Sequence, residues 1–180
     1  MTSARVVRRD GMRALFLTLL MAVGFFCFSC KAPRSDVAEG GRAPVLEISD
    51  VGTGQKIDLG PYQGRVMFIN FWATWCAPCR EEAASIEALH RELKNDGRFV
   101  MFTILYKDAP NAAGRYMKEH GFDFPVYADR EGASAKGYGV TGVPETYLVD
   151  KRGVLRKKII GSLDWNSSEA RSFVNSLLHE

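Results

Sequence analysis

The chain has 180 residues, 46% of them apolar, enough for one domain with a real core plus an appendage. Of its 24 Lys and Arg and 21 Asp and Glu, the first thirty residues take four and one, which leaves twenty of each sign and a nearly neutral body. Nothing in that body forms the basic stripe that nucleic-acid binding requires, so no nucleic-acid partner is expected, and short groups such as Arg156-Lys157-Lys158 fit a solvated strand edge.

The N-terminus reads as an address. Arg5, Arg8, Arg9 and Arg13 precede an apolar run over residues 14–28, the pattern of a secretory signal, which places the following domain outside the cytoplasm. The run ends in Cys27-Phe28-Ser29-Cys30, and three outcomes stay open. Ser29 before Cys30 resembles a bacterial lipobox and makes Cys30 the lipidation candidate, although Cys27 stands where that motif usually has Leu. Alternatively the run stays in place as a signal anchor, a little short of the roughly twenty residues a spanning helix wants, or it is removed by ordinary cleavage. The first two outcomes attach the protein to a membrane through its N-terminus. Residues 31–42 shift to Pro, Ser, Gly and mixed charge and read as a linker.

The folded domain is expected over residues 43–180. Residues 45–49 and 55–59 are strand-like and flank a Gly- and Asp-rich turn, which predicts an N-terminal hairpin. A nearly continuous apolar strand over 65–71 has the pattern of a strand buried on both faces. A helix follows over 77–95, with Ile86, Leu89 and Leu93 on one stripe and Gly97 as its stop signal. A second buried strand covers 99–106, and a helix over 109–120 ends at Gly121. Residues 124–128 form a short strand and 131–136 a helical turn. Strands over 145–150 and 154–160 flank the loop Lys151-Arg152-Gly153, and an amphipathic helix over 166–178 closes the chain. This order builds an α/β sandwich from βαβ and ββα halves, the thioredoxin architecture, with a central mixed sheet flanked by helices.

The chemistry is carried by Asn70-Phe71-Trp72-Ala73-Thr74-Trp75-Cys76-Ala77-Pro78-Cys79, a strand that runs into a Cys-x-x-Cys opening a helix. Free backbone N–H groups and the positive end of the helix dipole favour a thiolate at Cys76, and the turn keeps Cys79 beneath it as the resolving thiol. Pro78 in the first turn gives up no intrahelical hydrogen bond. A zinc site would need a second pair of ligands. Only Cys27 and Cys30 remain, inside the targeting segment, and His90, His120 and His179 are scattered, so neither a metal nor a second redox site is expected. No cofactor is expected either, since no Cys-x-x-Cys-His occurs to attach haem.

Beyond residue 43 the chain resembles extracytoplasmic thioredoxin-like proteins of the ResA/CcmG/TlpA type, within the wider redoxin (AhpC/TSA-like) group. The resemblance rests on the N-terminal hairpin, the segment from Phe71 to Cys79, an insertion around residues 109–124, and Tyr138-Gly139-Val140-Thr141-Gly142-Val143-Pro144-Glu145-Thr146. It implies that Pro144 is cis and faces the disulfide, and that Val143 presents its backbone to an extended substrate segment. Trp75 then covers one side of the disulfide, so that Trp75, Pro78, Val143 and Pro144 are the candidate substrate-binding residues. Cytoplasmic thioredoxins carry a buried acid six residues before the first cysteine, where this chain has Asn70. Glu82 matches the helix glutamate of ResA-like proteins, and Glu145 adjoins the proline; both are candidate catalytic carboxylates beside Cys76 and Cys79, since a buried acid near two thiols can relay a proton.

The resemblance also implies a thiol–disulfide reductase kept reduced by a membrane electron donor, with exported disulfide-containing proteins as substrates and apocytochrome c foremost among them. Operation as an oxidase or isomerase, and a client-binding holdase for exported cysteine-containing proteins, are the alternatives. A peroxidase is disfavoured, because that chemistry wants Thr where this chain has Ala73.

Overall fold

The computed structural model describes residues 37–180, so the leader, Cys27 and the lipidation candidate Cys30 lie outside the described residues. Within them one mixed sheet holds β1 (Ser49–Asp50), β2 (Val66–Trp72), β3 (Phe99–Leu105), β4 (Val126–Ala128), β5 (Glu145–Val149) and β6 (Leu155–Ile160). Across the sheet the order is β1-β4-β3-β2-β5-β6. Strands β2, β3 and β4 run parallel, while β5 lies antiparallel to β2, β6 to β5 and β1 to β4. The helices are α1 (Ala77–Leu93), α2 (Pro110–His120), α3 (Ala133–Gly137) and α4 (Ser168–His179). The expected α/β thioredoxin architecture is thus present, with α2 and the turn after it as the central insertion. Among the described residues no helix is long and apolar enough to cross a membrane.

Strand β2 is apolar but for Asn70 because both of its faces are covered. Phe68 and Trp72 point to one side, where Ile86, Leu89 and Leu93 of α1, Tyr116 of α2 and Val174 and Leu177 of α4 pack with them. Ile69 and Phe71 point to the other, against Phe102, Ile104, Tyr147, Leu46, Ile48 and Tyr138. Trp165, in the segment leading into α4, meets Phe68 edge-on with ring centroids 4.7 Å apart.

Three elements depart from expectation, each for a local reason. The N-terminal hairpin is short, held by a bridge between Ser49 and Lys56 with Asp50 N–H donating to Gln55 O and Ile57 N–H to Ile48 O, and β1 finds its main partner in β4. The Asp50 carboxylate holds the turn by accepting from the backbone N–H of Gly52 and Thr53, yet Gln55 and Lys56 are exposed and bury nothing that would extend the second arm. Helix α1 ends at Leu93, and Gly97 is not its cap; the chain leaves through turns in which Asp96 N–H donates to Leu93 O and Phe99 N–H to Asp96 O. Gly121 does cap α2, at φ +65° in the left-handed region. The strand expected from residue 124 starts at Val126, since Pro125 has no N–H to give the ladder; its carbonyl instead accepts from the Thr103 hydroxyl. At the other end of the domain, backbone pairing reaches back to Gly40, whose N–H donates to Leu155 O at 2.7 Å.

Glu87, a buried carboxylate on α1 that the sequence pattern did not single out, fixes the turn after α2. Its Oε2 accepts from the backbone N–H of Asp123 at 2.8 Å and Phe124 at 3.0 Å, and its Oε1 from Arg91 Nε. Glu87→Ala leaves two backbone donors without their acceptor, and is expected to lower unfolding free energy in urea by about 2–4 kcal/mol, with Glu87→Gln in between.

Candidate active site

The chain leaves β2 at Trp72 and enters α1 at Ala77, so Cys76 stands at the helix N-cap. Its backbone is extended there, at φ −85° and ψ 112°, and its Sγ accepts from Cys79 N–H at 3.2 Å. Cys76 and Cys79 are joined as a disulfide, with Cα atoms 5.3 Å apart. Both sulfurs belong to residues that are almost fully buried, while Ala77 and Pro78 between them are exposed.

Two contacts hold the loop between strand and helix. Thr74 N–H donates to Asp108 Oδ2 at 2.6 Å, and Arg80 donates to Thr74 O at 2.9 Å. The Trp75 indole N–H reaches Lys107 O at 3.3 Å, and Lys107 adopts a left-handed φ of 50° to present that carbonyl. Trp75 is nevertheless 57% exposed, whereas Trp72 lies in the core against Tyr116 and Phe124.

The Val143–Pro144 bond is cis. Cys76 Sγ lies 3.5 Å from Val143 O, so the segment before the proline runs past the sulfurs. Glu145 does not share this side of the sheet. It lies on the face of β5 that carries Tyr147, and its Oε1 accepts from the backbone N–H of Thr141 (3.1 Å) and Gly142 (3.4 Å). Its Oε2 accepts from the Tyr147 hydroxyl and pairs with Lys158 Nζ at 3.2 Å. Glu145, expected beside the cysteines, thus holds the backbone of residues 141–142 just before Val143 and Pro144.

Glu82 is on the cysteine side. It is 3% exposed and follows Cys79 by one turn of α1, where residues three apart share a helix face. Its Oε1 accepts from Asn70 Nδ2 at 2.9 Å and its Oε2 from Leu163 N–H at 3.2 Å. The other Asn70 N–H goes to Thr146 Oγ1, also at 2.9 Å. Burial pushes the Glu82 carboxyl up to about 7, against the pull of donors at Leu163, Asn70 and Trp165. The Trp165 indole N–H has no regular hydrogen-bond acceptor, so it acts on the carboxylate at longer range. A groove of about 390 Å³ between α1 and the loop after β6 opens onto Glu82, lined also by Glu81, Ser85, Ser162 and Asp164.

The residues that sequence reasoning missed are those acting across elements. Asp108 is recognisable as a residue leading into α2, but its grip on Thr74, 34 positions away, has no local signature. The same holds for Thr146 and the Leu163 amide. Among the described residues no group of His, Cys, Asp and Glu is placed to hold a metal ion.

The pattern of the Redoxin family matches residues 38–177. The chain is 34% identical over 149 residues to the thiol-disulfide oxidoreductase ResA of Bacillus thuringiensis subsp. konkukian, covering 82% of this chain and 84% of that one. It is 28% identical over 150 residues to the thiol-disulfide oxidoreductase ResA of Bacillus subtilis, covering 83% of each. The structure superposes on a thiol:disulfide interchange protein of the thioredoxin family from Chlorobium tepidum with a TM-score of 0.66 at 25% identity, covering 78% of this chain and 98% of that one.

A raised carboxyl makes stability depend on pH in a definite direction. Between about 4.5 and about 7 the unfolded chain ionises Glu82 while the folded one keeps its proton, so the folded state binds more protons and loses stability as pH rises. Oxidised wild type is expected to lose on the order of 3 kcal/mol across that window relative to Glu82→Gln, which has no such group, and to run parallel to it above the window. Urea midpoints of the two proteins between pH 4 and 8 measure this.

Proposed function

The chain belongs to the Redoxin family and is a protein thiol–disulfide oxidoreductase, and we propose that it works outside the cytoplasm as a reductase of disulfides in exported proteins. The observation that carries the reading is the Cys76–Cys79 disulfide at the N-terminus of α1, with Cys76 Sγ 3.5 Å from Val143 O beside a cis proline.

The cycle begins with reduced enzyme. The Cys76 thiolate, held by the Cys79 N–H and the helix N-terminus, attacks one sulfur of a substrate disulfide and expels the other as a thiolate. The substrate is now joined to Cys76 as a mixed disulfide, with its extended chain along Val143 and against Trp75 and Pro78. Cys79 then gives its proton to the Glu82 carboxylate and attacks Cys76 Sγ. The Cys76–Cys79 disulfide forms, and the second substrate sulfur leaves as a thiolate. Two electrons have passed from the enzyme to the substrate, and a dithiol donor must return them.

The reducing direction is supported by what surrounds Cys76. A strong oxidant stabilises its thiolate heavily, but here the residues between the cysteines are Ala77 and Pro78, without charge or side-chain donor. Arg80, the cation nearest in sequence, donates to the Thr74 carbonyl, and Glu82 adds a carboxylate near the sulfurs. The secretory pattern before residue 30 supports an extracytoplasmic, membrane-attached protein, through Cys30 or through the apolar run, with a membrane dithiol as electron donor. Apocytochrome c, whose haem-attachment cysteines need to be reduced, is the client proposed on the likeness to ResA.

A redox titration in thiol buffers, followed by tryptophan fluorescence and alkylation, tests the direction. A midpoint near about −270 mV is expected, and one near about −120 mV would make the protein an oxidant and overturn the reading. Cys79→Ser separates catalysis from client binding. It is expected to accumulate a covalent adduct through Cys76 with a disulfide substrate, whereas a holdase would release its client unchanged.

A further inference from the structure

The geometry points to Asn70 as a positioning residue that holds Glu82 Oε1 as an acceptor, so that the carboxyl proton is carried on Oε2, at the groove rather than toward the core. The inference rests on the reading of Glu82 as the group that receives the Cys79 proton.

Asn70 is fully buried on β2, and each N–H of its amide meets an acceptor, Glu82 Oε1 and Thr146 Oγ1, both at 2.9 Å. Its Oδ1 has no partner. A buried amide that leaves its oxygen unpartnered while aiming both hydrogens is oriented by what those hydrogens meet. Turning it over would set Oδ1 against Oε1, an oxygen facing an oxygen whenever Glu82 is ionised. With Nδ2 in place, an N–H already points at Oε1 along the side where a proton would have to sit. Oε2 is different. It meets a single backbone donor, Leu163 N–H at the longer distance of 3.2 Å, and it belongs to the side chain that the groove exposes.

The groups facing Glu82 are few. On its own helix these are Cys79 one turn earlier and Glu81 beside the groove; Asn70 and Thr146 come from the sheet, and Asp164 and the Trp165 indole from the loop after β6. Among the described residues no cation lines the groove. A proton on Oε2 meets only the longer Leu163 contact, while one on Oε1 would face the Asn70 N–H at 2.9 Å.

The arrangement has a role in the second half of the cycle. In the mixed disulfide the substrate chain lies over Trp75, Val143 and Pro144, and that face is closed to solvent. The S–H bond of Cys79 breaks and an O–H bond forms on Glu82. With the proton on Oε2, it leaves through the groove along the flank of α1, which the substrate does not cover.

Nuclear magnetic resonance on the oxidised full-length chain in detergent micelles tests this without a variant, using labelled Glu, Asn and Leu across pH 5 to 9. The expected result is that the Leu163 amide shifts with the same midpoint as the Glu82 carboxyl carbon, because its acceptor changes from carboxylate to hydroxyl, while the Asn70 side-chain N–H signals move far less. Strong movement of the Asn70 signals with a still Leu163 amide would put the proton on Oε1 and overturn the inference alone. A Glu82 carbon that does not titrate in this range would overturn it together with the proposed proton transfer. Asn70→Leu supplies the functional readout. With the donor to the carboxylate gone, the pH profile of mixed-disulfide resolution is expected to move upward, and the Leu163 shift to shrink because either oxygen then takes the proton; an unmoved profile counts against Asn70.

Discussion

Burial of β2 on both faces is the constraint from which the active site follows. A strand with Phe68 and Trp72 on one side and Ile69 and Phe71 on the other must be covered by a layer on each side. The chain then has to cross over to a parallel neighbour, β3, and α1 is that crossover. A crossover helix begins at the carboxyl end of the strand it leaves, so its unpaired N–H groups and positive end fall at the sheet margin just past Trp72. Placing Cys76 at that N-cap sets the sulfur at the positive end of the helix, and the same sheet brings the segment before β5 alongside it.

The polar groups sort by face in the same way. Thr146 and Glu145 are adjacent in sequence but point to opposite sides of the sheet, because side chains on a strand alternate. Thr146 joins Asn70 and Glu82 on the α1 side, near the sulfurs, while Glu145 turns to Tyr147 and Lys158 and fastens the loop that carries the cis proline. One carboxylate is held by a side-chain amide and a backbone N–H one turn from Cys79, the other holds the backbone of residues 141–142. Their similar burial and their nearness to the active-site motifs hide this division of labour until the faces are assigned.

How much of this could be read before folding depends on range. The Cys-x-x-Cys, the strand before it, and the Val143-Pro144 pair are local patterns, and the structure brings them together as the sequence implied. The helices were legible from their apolar periodicity, and the end of α2 from Gly121. The N-terminal hairpin is legible but its brevity is not, because strand-like composition says nothing about what a strand will pair with, and β1 also pairs with β4 from far along the chain. The end of α1 was misplaced because Gly97 needed a left-handed backbone to serve as a cap, and the turn at Asp96 ends the helix first. Asn70 was visible as a departure from an acid, but its bond to Glu82 depends on how α1 lies across β2, which no short window of sequence contains.

The backbone pairing of residues 40–43 with residues 153–155 sets where the domain is held. The register of β5 and β6 puts Leu155 opposite Val149 and Ile160 opposite Glu145, next to Pro144. The N-terminal segment therefore joins the sheet at the end away from the disulfide, separated from it by the length of β5, about 15 Å at the rise of a strand. A load applied through the N-terminus enters the domain at this seam and not at the redox centre. The end that carries Cys76 lies clear of that seam.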